Sequence, residues 1–132
     1  MPQIIMSGNL VVPDGPKFAF NRTLTVEAYD KIDVAVPATP ATTNKEVGLQ
    51  PGGAGKVTFI AIVSDSYDDN LTYKINNTAT ADARILDQPQ LLAGKGAVSL
   101  FDGANPPTKL FFSNTAAGKN ANVQILIGRK AT

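Results

Sequence analysis

Hydrophobic and polar positions alternate along the segment 17–29, which reads KFAFNRTLTVEAY. Four apolar side chains share one face of this segment: Phe18, Phe20, Leu24 and Val26. Arg22 is the single charged residue on that face. Because successive side chains of a strand point to opposite faces, a period of two predicts a strand with one face buried.

The same alternation recurs along the chain and predicts further strands at 31–36, 71–77, 108–114 and 121–129. The segment 56–64, KVTFIAIVS, is apolar on both faces and rich in β-branched residues, which is typical of a central strand. Segments 6–12 and 84–87 are weaker strand candidates. Only 90–101 could hold a helix, and its glycines favour a short one.

These elements predict an all-β protein, a β-sandwich of about eight short strands. A jelly roll or another Greek-key sandwich is the favoured topology. With 132 residues the chain fits one domain, 1–132. The segment 1–12 is a possible extended N-terminal arm, and the proline-containing segment 37–55 is expected to form a long loop.

The composition of the chain excludes several kinds of catalytic and binding site. The chain contains no Cys and no His, which excludes a thiol nucleophile, a histidine general base and the usual zinc ligands. Its net charge is +1 and the charges are scattered, whereas nucleic-acid binding needs clustered cations. No apolar run approaches the roughly 20 residues of a membrane span, and the N-terminus lacks signal-peptide features. We therefore expect a soluble protein made in the cytoplasm, with no nucleic-acid or membrane partner.

The stretch LQPGGAGKV, residues 49–57, resembles a phosphate-binding loop on first inspection. That motif requires glycine where this chain has Gln50, and a hydroxyl where it has Val57. A helix should also follow, but the next residues are β-branched. The Gly-Lys pair recurs at 94–95 and 118–119, so we interpret it as a turn feature.

The densest acidic stretch is 64–70, SDSYDDN. Clustered carboxylates can bind calcium, but the spacing of an EF-hand loop is absent. The favoured interpretation is a polar connection held by local hydrogen bonds, with a structural cation as the alternative.

Glu27 and Glu46 are the only glutamates in the chain. Nothing in the sequence marks two acidic residues as the catalytic pair that a glycosidase needs. No catalytic, cofactor or metal-binding residue is predicted, and no enzyme.

Two residues are predicted at an interface, Phe112 and Leu126. Phe111 and Phe112 must point to opposite faces of their strand, so one of them could meet a partner. Leu126 interrupts the polar face of the last strand, which indicates that part of that face is covered. The alternative is that these side chains are buried within the chain itself.

Three stretches resemble small virion proteins of tailed bacteriophages: LFFSNTAAGKNANVQILIGRKAT, SDSYDDNLTYKINN and LLAGKGAVSLFD. They are similar to capsid decoration (cement) proteins, particularly those of cyanophages, over roughly the second half of the chain. The resemblance implies a β-rich protein on the outside of an assembled capsid, stabilising it. It implies the major capsid protein as partner, a homo-oligomer such as a trimer, and a place in the virion.

Two other functions stay open from the sequence. The protein could be a tail, baseplate or head-fibre component of the same kind of virion. It could instead be a carbohydrate- or surface-binding β-sandwich module. Such a module is expected to present an aromatic platform, and the chain has no Trp.

Overall fold

Short antiparallel strands make up most of the computed structural model, which describes residues 1–49, 57–79, 82–101 and 107–130. The first five strands are β1 Gln3–Val11, β2 Lys17–Thr25, β3 Ala28–Val36, β4 Thr42–Gly48 and β5 Val57–Ser64. The next five are β6 Leu71–Ile75, β7 Arg84–Ile85, β8 Gln90–Ala93, β9 Lys109–Asn114 and β10 Ala121–Arg129. The helix α1, Lys95–Val98, is a single turn between β8 and β9.

Eight of these strands form two antiparallel sheets. The first sheet has the order β3-β10-β5-β8, and the second has the order β4-β9-β6-β7. Strands β1 and β2 pair only with each other and form a separate two-stranded sheet. The prediction of an all-β sandwich is confirmed, whereas the jelly-roll topology stays a prediction.

The hydrophobic core lies between the two four-stranded sheets and is built from side chains of both. The first sheet contributes Val34, Val36, Val57, Ile60, Ile62, Ala121, Val123, Ile125 and Ile127. The second contributes Val47, Leu71, Tyr73, Ile75, Leu110 and Phe112. Val98 of α1 and the connecting residues Leu49, Leu86 and Phe101 complete the core. Burying alternate apolar residues of each strand explains why the period-two pattern predicted these elements.

Tyr73 lies at the centre of the aromatic part of the core. Its ring centroid is 5.7 Å from that of Phe112 and 6.1 Å from that of Phe101. The Tyr73 hydroxyl donates a hydrogen bond to the side-chain oxygen of Gln90, so this polar atom is satisfied where it is buried. Burial raises the pKa of Tyr73 to about 12 because the charged phenolate loses solvation.

Strand β5 occupies an interior position of the first sheet, between β10 and β8, as predicted from its two apolar faces. Ile60 and Ile62 point into the core. Phe59 faces the opposite side, because it is adjacent to Ile60 in the strand and pairs with the outer-face residue Gly128. The register then shifts between Gly128 and Arg129. This β-bulge lets Val57 return to the core although it is separated from Phe59 by one residue.

The prediction of a loop over 37–55 is wrong in part, because Thr42–Gly48 forms strand β4. This strand lies at the edge of the second sheet and pairs with β9. It carries Lys45 and Glu46, which give it loop-like composition and are typical of an edge strand. Only Val47 and the following Leu49 turn into the core, so the apolar signal was short. Positions 50–56, which include Gly55 and Lys56, lie outside the described residues.

The prediction of one half-buried strand over 17–29 is also corrected. The segment is divided into β2 and β3, which belong to different sheets. At the break, the Val26 N–H donates to the carbonyl of Pro2 and the Glu27 N–H donates to the carbonyl of Arg129. The segment 1–12, expected as a possible extended arm, contains strand β1, which pairs with β2 along its whole length.

The turn between β9 and β10 is organised by Asn114, a buried polar residue. Its side-chain amide donates to the carbonyls of Val36, at 2.8 Å, and Lys119, at 2.9 Å. Its side-chain oxygen accepts a bond from the N–H of Ala116 at 3.0 Å. Gly118 supplies the turn with a φ of +75°, which confirms the turn interpretation of this Gly-Lys pair. Asn114 therefore joins both sheets at one end of the sandwich.

Candidate interaction surfaces

The first candidate surface is a hairpin formed by residues 3–25, here called the hairpin arm. Strands β1 and β2 pair in continuous register from Gln3 opposite Thr25 to Val11 opposite Lys17. Its turn is closed by the Val12 N–H donating to Pro16 and the Gly15 N–H donating to Val12. Beyond its base the hairpin arm has little contact with the other elements, so it stands apart from the sandwich.

One face of the hairpin arm is apolar and exposed. Its apolar residues are Ile4, Met6, Leu10, Phe18, Phe20 and Leu24, which the strand register places on the same side. Phe18 is 66% exposed, Leu10 62% and Phe20 39%. A two-stranded hairpin is marginally stable alone in water, and its stability usually needs a covered apolar face. The arm face therefore has the character of a surface that is completed by a partner.

Arg22 is the one charged side chain on this face. It lies opposite Met6, midway along the hairpin. The salt bridges between described residues involve other cations: Lys31, Lys109, Lys119 and Arg129. Within the described part of the chain, Arg22 has no acidic partner, although a guanidinium on an apolar face needs one when it is covered.

At its base the hairpin arm contacts the outer face of the first sheet. A Cβ on Gly128 would lie 2.8 Å from Ile4 Cδ1, 2.9 Å from Val26 Cγ1 and 3.1 Å from Phe59 Cβ. The absence of a side chain at Gly128 thus lets Ile4 and Val26 approach the sheet closely. Val26 and Phe59 are each only 2% exposed, although neither belongs to the central core. Together with Ile4, these two residues form a second, smaller apolar cluster, which attaches the base of the hairpin arm to the first sheet.

The second candidate surface continues from this attachment across the outer face of the first sheet. It is here called the outer patch and consists of Tyr29, Ala61, Val63, Leu91 and Leu126. Leu126 and Leu91 both pair with Ala61, which places the three side chains in one row. Tyr29 and Leu91 are more than half exposed. The patch borders an open groove of about 280 Å³ lined in part by Lys31, Val63 and Gln124.

The two residues predicted at an interface lie in different environments. Phe112 is 0% exposed and packs in the core, so its prediction as an interface residue is corrected. Its neighbour Phe111 takes the outward position and is half-buried. The alternation had left open which of the two faced inward. Leu126 does lie on the outer face, half-buried, and its role at an interface stays a prediction.

The acidic segment 64–70 holds the turns at one end of the sandwich. Asp65 accepts hydrogen bonds from the backbone N–H of Asn122 at 2.8 Å and from its side-chain amide at 3.0 Å. Asp68 accepts from Lys119 at 2.9 Å and from the backbone N–H of Asn70 at 2.8 Å. These bonds to Asn122 lower the pKa of Asp65, and the bond from Lys119 is the main cause that lowers the pKa of Asp68.

These acids are thus engaged with backbone and lysine groups. Among the described residues, no group of three or more acidic side chains is arranged to hold a metal ion. The described part of the chain also contains no helix that is long and apolar enough to cross a membrane.

A further depression lies beside Tyr73 and Arg84 at the edge of the second sheet. Arg84 lies over the ring of Phe101, 5.5 Å from its centroid. Its guanidinium also donates to the carbonyls of Phe101 and Leu100. These contacts hold the chain after α1 against the sheet, so we assign Arg84 a structural role.

The chain is therefore an all-β sandwich with a projecting hairpin, and it carries two exposed apolar surfaces. Comparison with protein-family models, with curated proteins and with solved structures finds no match.

Proposed function

We propose that this chain is a structural, non-enzymatic virion protein that binds the outside of an assembled phage capsid and stabilises it. The observation that supports this most directly is the hairpin arm, whose apolar face is exposed in the single chain. Such a face is costly to leave in water, and it suits a protein that works inside a larger assembly. The second half of the chain resembles decoration proteins, and this resemblance indicates that the larger assembly is a phage capsid.

In this role the protein is a homo-oligomer, with a trimer as the favoured state, and its partner is the major capsid protein. Its final place is the capsid surface of the virion, and it is made in the host cytoplasm. Stabilisation follows from mass action, because a protein that binds only the assembled shell shifts the equilibrium towards it. A jelly-roll or related Greek-key connection of the strands belongs to the same proposal.

The test is binding to heads. Purified protein is mixed with assembled heads of the phage that encodes it, and separately with free capsid subunits. After sedimentation we expect the protein in the head pellet and no complex with the free subunits. Heads that carry the protein are expected to open at a higher temperature than bare heads. Failure to bind heads, combined with retention on a glycan column, would overturn the proposal and favour a carbohydrate-binding module.

The copy number in purified particles distinguishes decoration from the other virion roles. A shell component is present in hundreds of copies per particle, whereas a tail, baseplate or head-fibre component is present in few. Quantitative mass spectrometry against the major capsid protein gives this ratio. A low ratio would contradict decoration in favour of a tail or fibre role, and complete absence would overturn the virion assignment.

A further inference from the structure

The hairpin arm and the outer patch are two apolar surfaces that already meet in one place. Ile4 belongs to the exposed face of the arm, and it lies over Gly128 on the outer face of the first sheet. The outer patch begins next to this point, because Tyr29 pairs with Gly128. The contact at the base shows that the arm face and the sheet face pack closely against each other where they touch.

The rest of the arm face is not covered by the sandwich of its own chain. Beyond Ile4, Met6 and Leu24, which are half-buried, the apolar residues towards the turn are exposed: Leu10, Phe18 and Phe20. The arm is held at its base by the backbone bonds of Val26 and Glu27. The same chain thus presents an uncovered apolar strip and, on another element, an uncovered apolar patch.

We propose that the hairpin arm of one copy packs its apolar face across the outer patch of a second copy. The inference deepens the self-association part of the proposed function and rests on it. Phe18 and Phe20 would lie over the row formed by Leu91, Ala61 and Leu126. This contact between two copies would continue the packing that Ile4 makes against the sheet within one chain.

The dimensions suit this contact. A nine-residue strand is about 30 Å long, and a four-stranded sheet is about 15–20 Å wide, so the arm can cross the whole sheet. Aromatic side chains bury about 150–250 Å² each when they are fully covered. Two phenylalanines, together with Met6 and Leu10, can supply a substantial share of the roughly 800 Å² per partner of a standard interface.

An acidic residue on the outer face also offers a partner for Arg22. Arg22 lies in the middle of the arm face with no acidic partner in the described part of its own chain. The outer face of the first sheet presents Asp33, whose side chain is 68% exposed. Its partner at 2.9 Å is Lys31, which is 53% exposed and lies beside Leu126. Such an exposed pair is weak, so Asp33 can exchange Lys31 for the guanidinium of a second copy.

Because the arm and the patch are different surfaces, the contact can repeat from copy to copy. A closed ring of three copies would satisfy every arm and every patch, in agreement with the proposed trimer. A pair that exchanges arms reciprocally would do the same. Either assembly leaves the edges of the sandwich and the second sheet for contacts with a shell.

The test uses two matched variants and light scattering after size exclusion, without capsids. The arm variant carries Leu10→Ser and Phe18→Ser, and the patch variant carries Leu91→Ser and Leu126→Ser. We expect the wild type to be oligomeric and each variant to be monomeric. The control, Ile85→Ser, removes an exposed apolar residue of strand β7 in the second sheet and should remain oligomeric. Circular dichroism melts verify that each variant is folded.

Mixing the two variants is the decisive step. The arm variant keeps an intact patch and the patch variant keeps an intact arm, so a one-to-one mixture should form a heterodimer through one restored contact. A monomeric wild type, an oligomeric arm or patch variant, or a mixture that stays monomeric would overturn the proposal. Because no capsid is present, failure here is distinct from failure of the head-binding assay.

The pairing of Arg22 with Asp33 is tested by exchanging the charges at these two positions. Arg22→Asp and Asp33→Arg should each weaken the association at least tenfold in sedimentation, and the chain that carries both should recover most of the loss. The swap is read at low and high salt, because the effect of an ion pair diminishes with screening. Single variants that associate like the wild type, or a double variant without recovery, would overturn the pairing of Arg22 with Asp33.

Discussion

The core strand β10 and the arm strand β2 have the same alternation of apolar and polar residues, but their apolar faces have different environments. In β10, Val123, Ile125 and Ile127 are fully buried between two sheets. In β2, Phe18 and Phe20 point from a two-stranded sheet into solvent. The pattern predicts a strand with an apolar face in both cases. Whether that face is covered within the chain depends on where the strand is placed, and most of the arm face is left exposed.

The largest expected effect is a difference between two phenylalanines. Phe112→Ala creates a cavity in the core and should lower the free energy of unfolding by about 3–5 kcal/mol. Phe18→Ala removes an exposed ring and should change the stability of the monomer by no more than about 0.5 kcal/mol. Urea unfolding in dilute solution measures both values. Equal losses would contradict the contrast between core and arm.

The attachment of the arm gives the next effect. Gly128→Ala places a Cβ within 2.8–2.9 Å of Ile4 and Val26, so these side chains must move. We expect a loss of about 1–3 kcal/mol from overpacking and faster proteolysis of the arm. Gly48→Ala is the control, because nothing lies within 4 Å of its added Cβ. Unchanged proteolysis in the Gly128 variant would show that the base does not hold the arm.

A buried polar group gives a comparable or smaller effect within the sandwich. Asn114→Ala removes the donors to the carbonyls of Val36 and Lys119, and should cost about 1–3 kcal/mol because buried acceptors lose their partners. Thermal melts measure this loss. The arm is remote from Asn114, so its proteolysis should not change, and accelerated cleavage of the arm would show that the two regions are coupled.

The smallest effect is the pH dependence of the turns at Asp65 and Asp68. Both carboxyl groups have a folded pKa below the ordinary value of 3.8. Their contribution is therefore present above about pH 4 and is lost as pH falls through the lowered folded pKa. The Asp65→Asn, Asp68→Asn variant should lose less stability on acidification than the wild type. If the melting temperature of the wild type stays constant when the pH is lowered from 4, these assignments are contradicted.

Much of the sandwich could be predicted from the sequence because each of its faces is decided by short-range alternation. Strands β5, β6, β9 and β10 lie where the pattern placed them, and the short helix lies within 90–101. Strand β4 was missed because most of its residues are polar and its pairing with β9 is non-local. The break of 17–29 into two strands was missed because no turn residue marks it, and backbone bonds to distant residues create it.

The candidate surfaces were less accessible to prediction. Alternation showed that Phe111 and Phe112 face opposite sides, but which side is the core depends on the packing of the second sheet. Leu126 was recognisable because it interrupts a polar face, and the outer patch explains that interruption. The exposed arm face carries the same signal as a core strand. Only the register of β1 with β2, in a sheet of their own, distinguishes the two.

In the oligomer, we expect the apolar face of the hairpin arm to be covered by another copy. Hydrogen exchange of the arm amides, measured over a range of protein concentrations, tests it most directly. We expect rapid exchange for residues 3–25 in the dilute monomer and strong protection in the oligomer, with the amides of β10 protected at every concentration. Arm amides that exchange equally fast in monomer and oligomer, or that are equally protected in both, would contradict it.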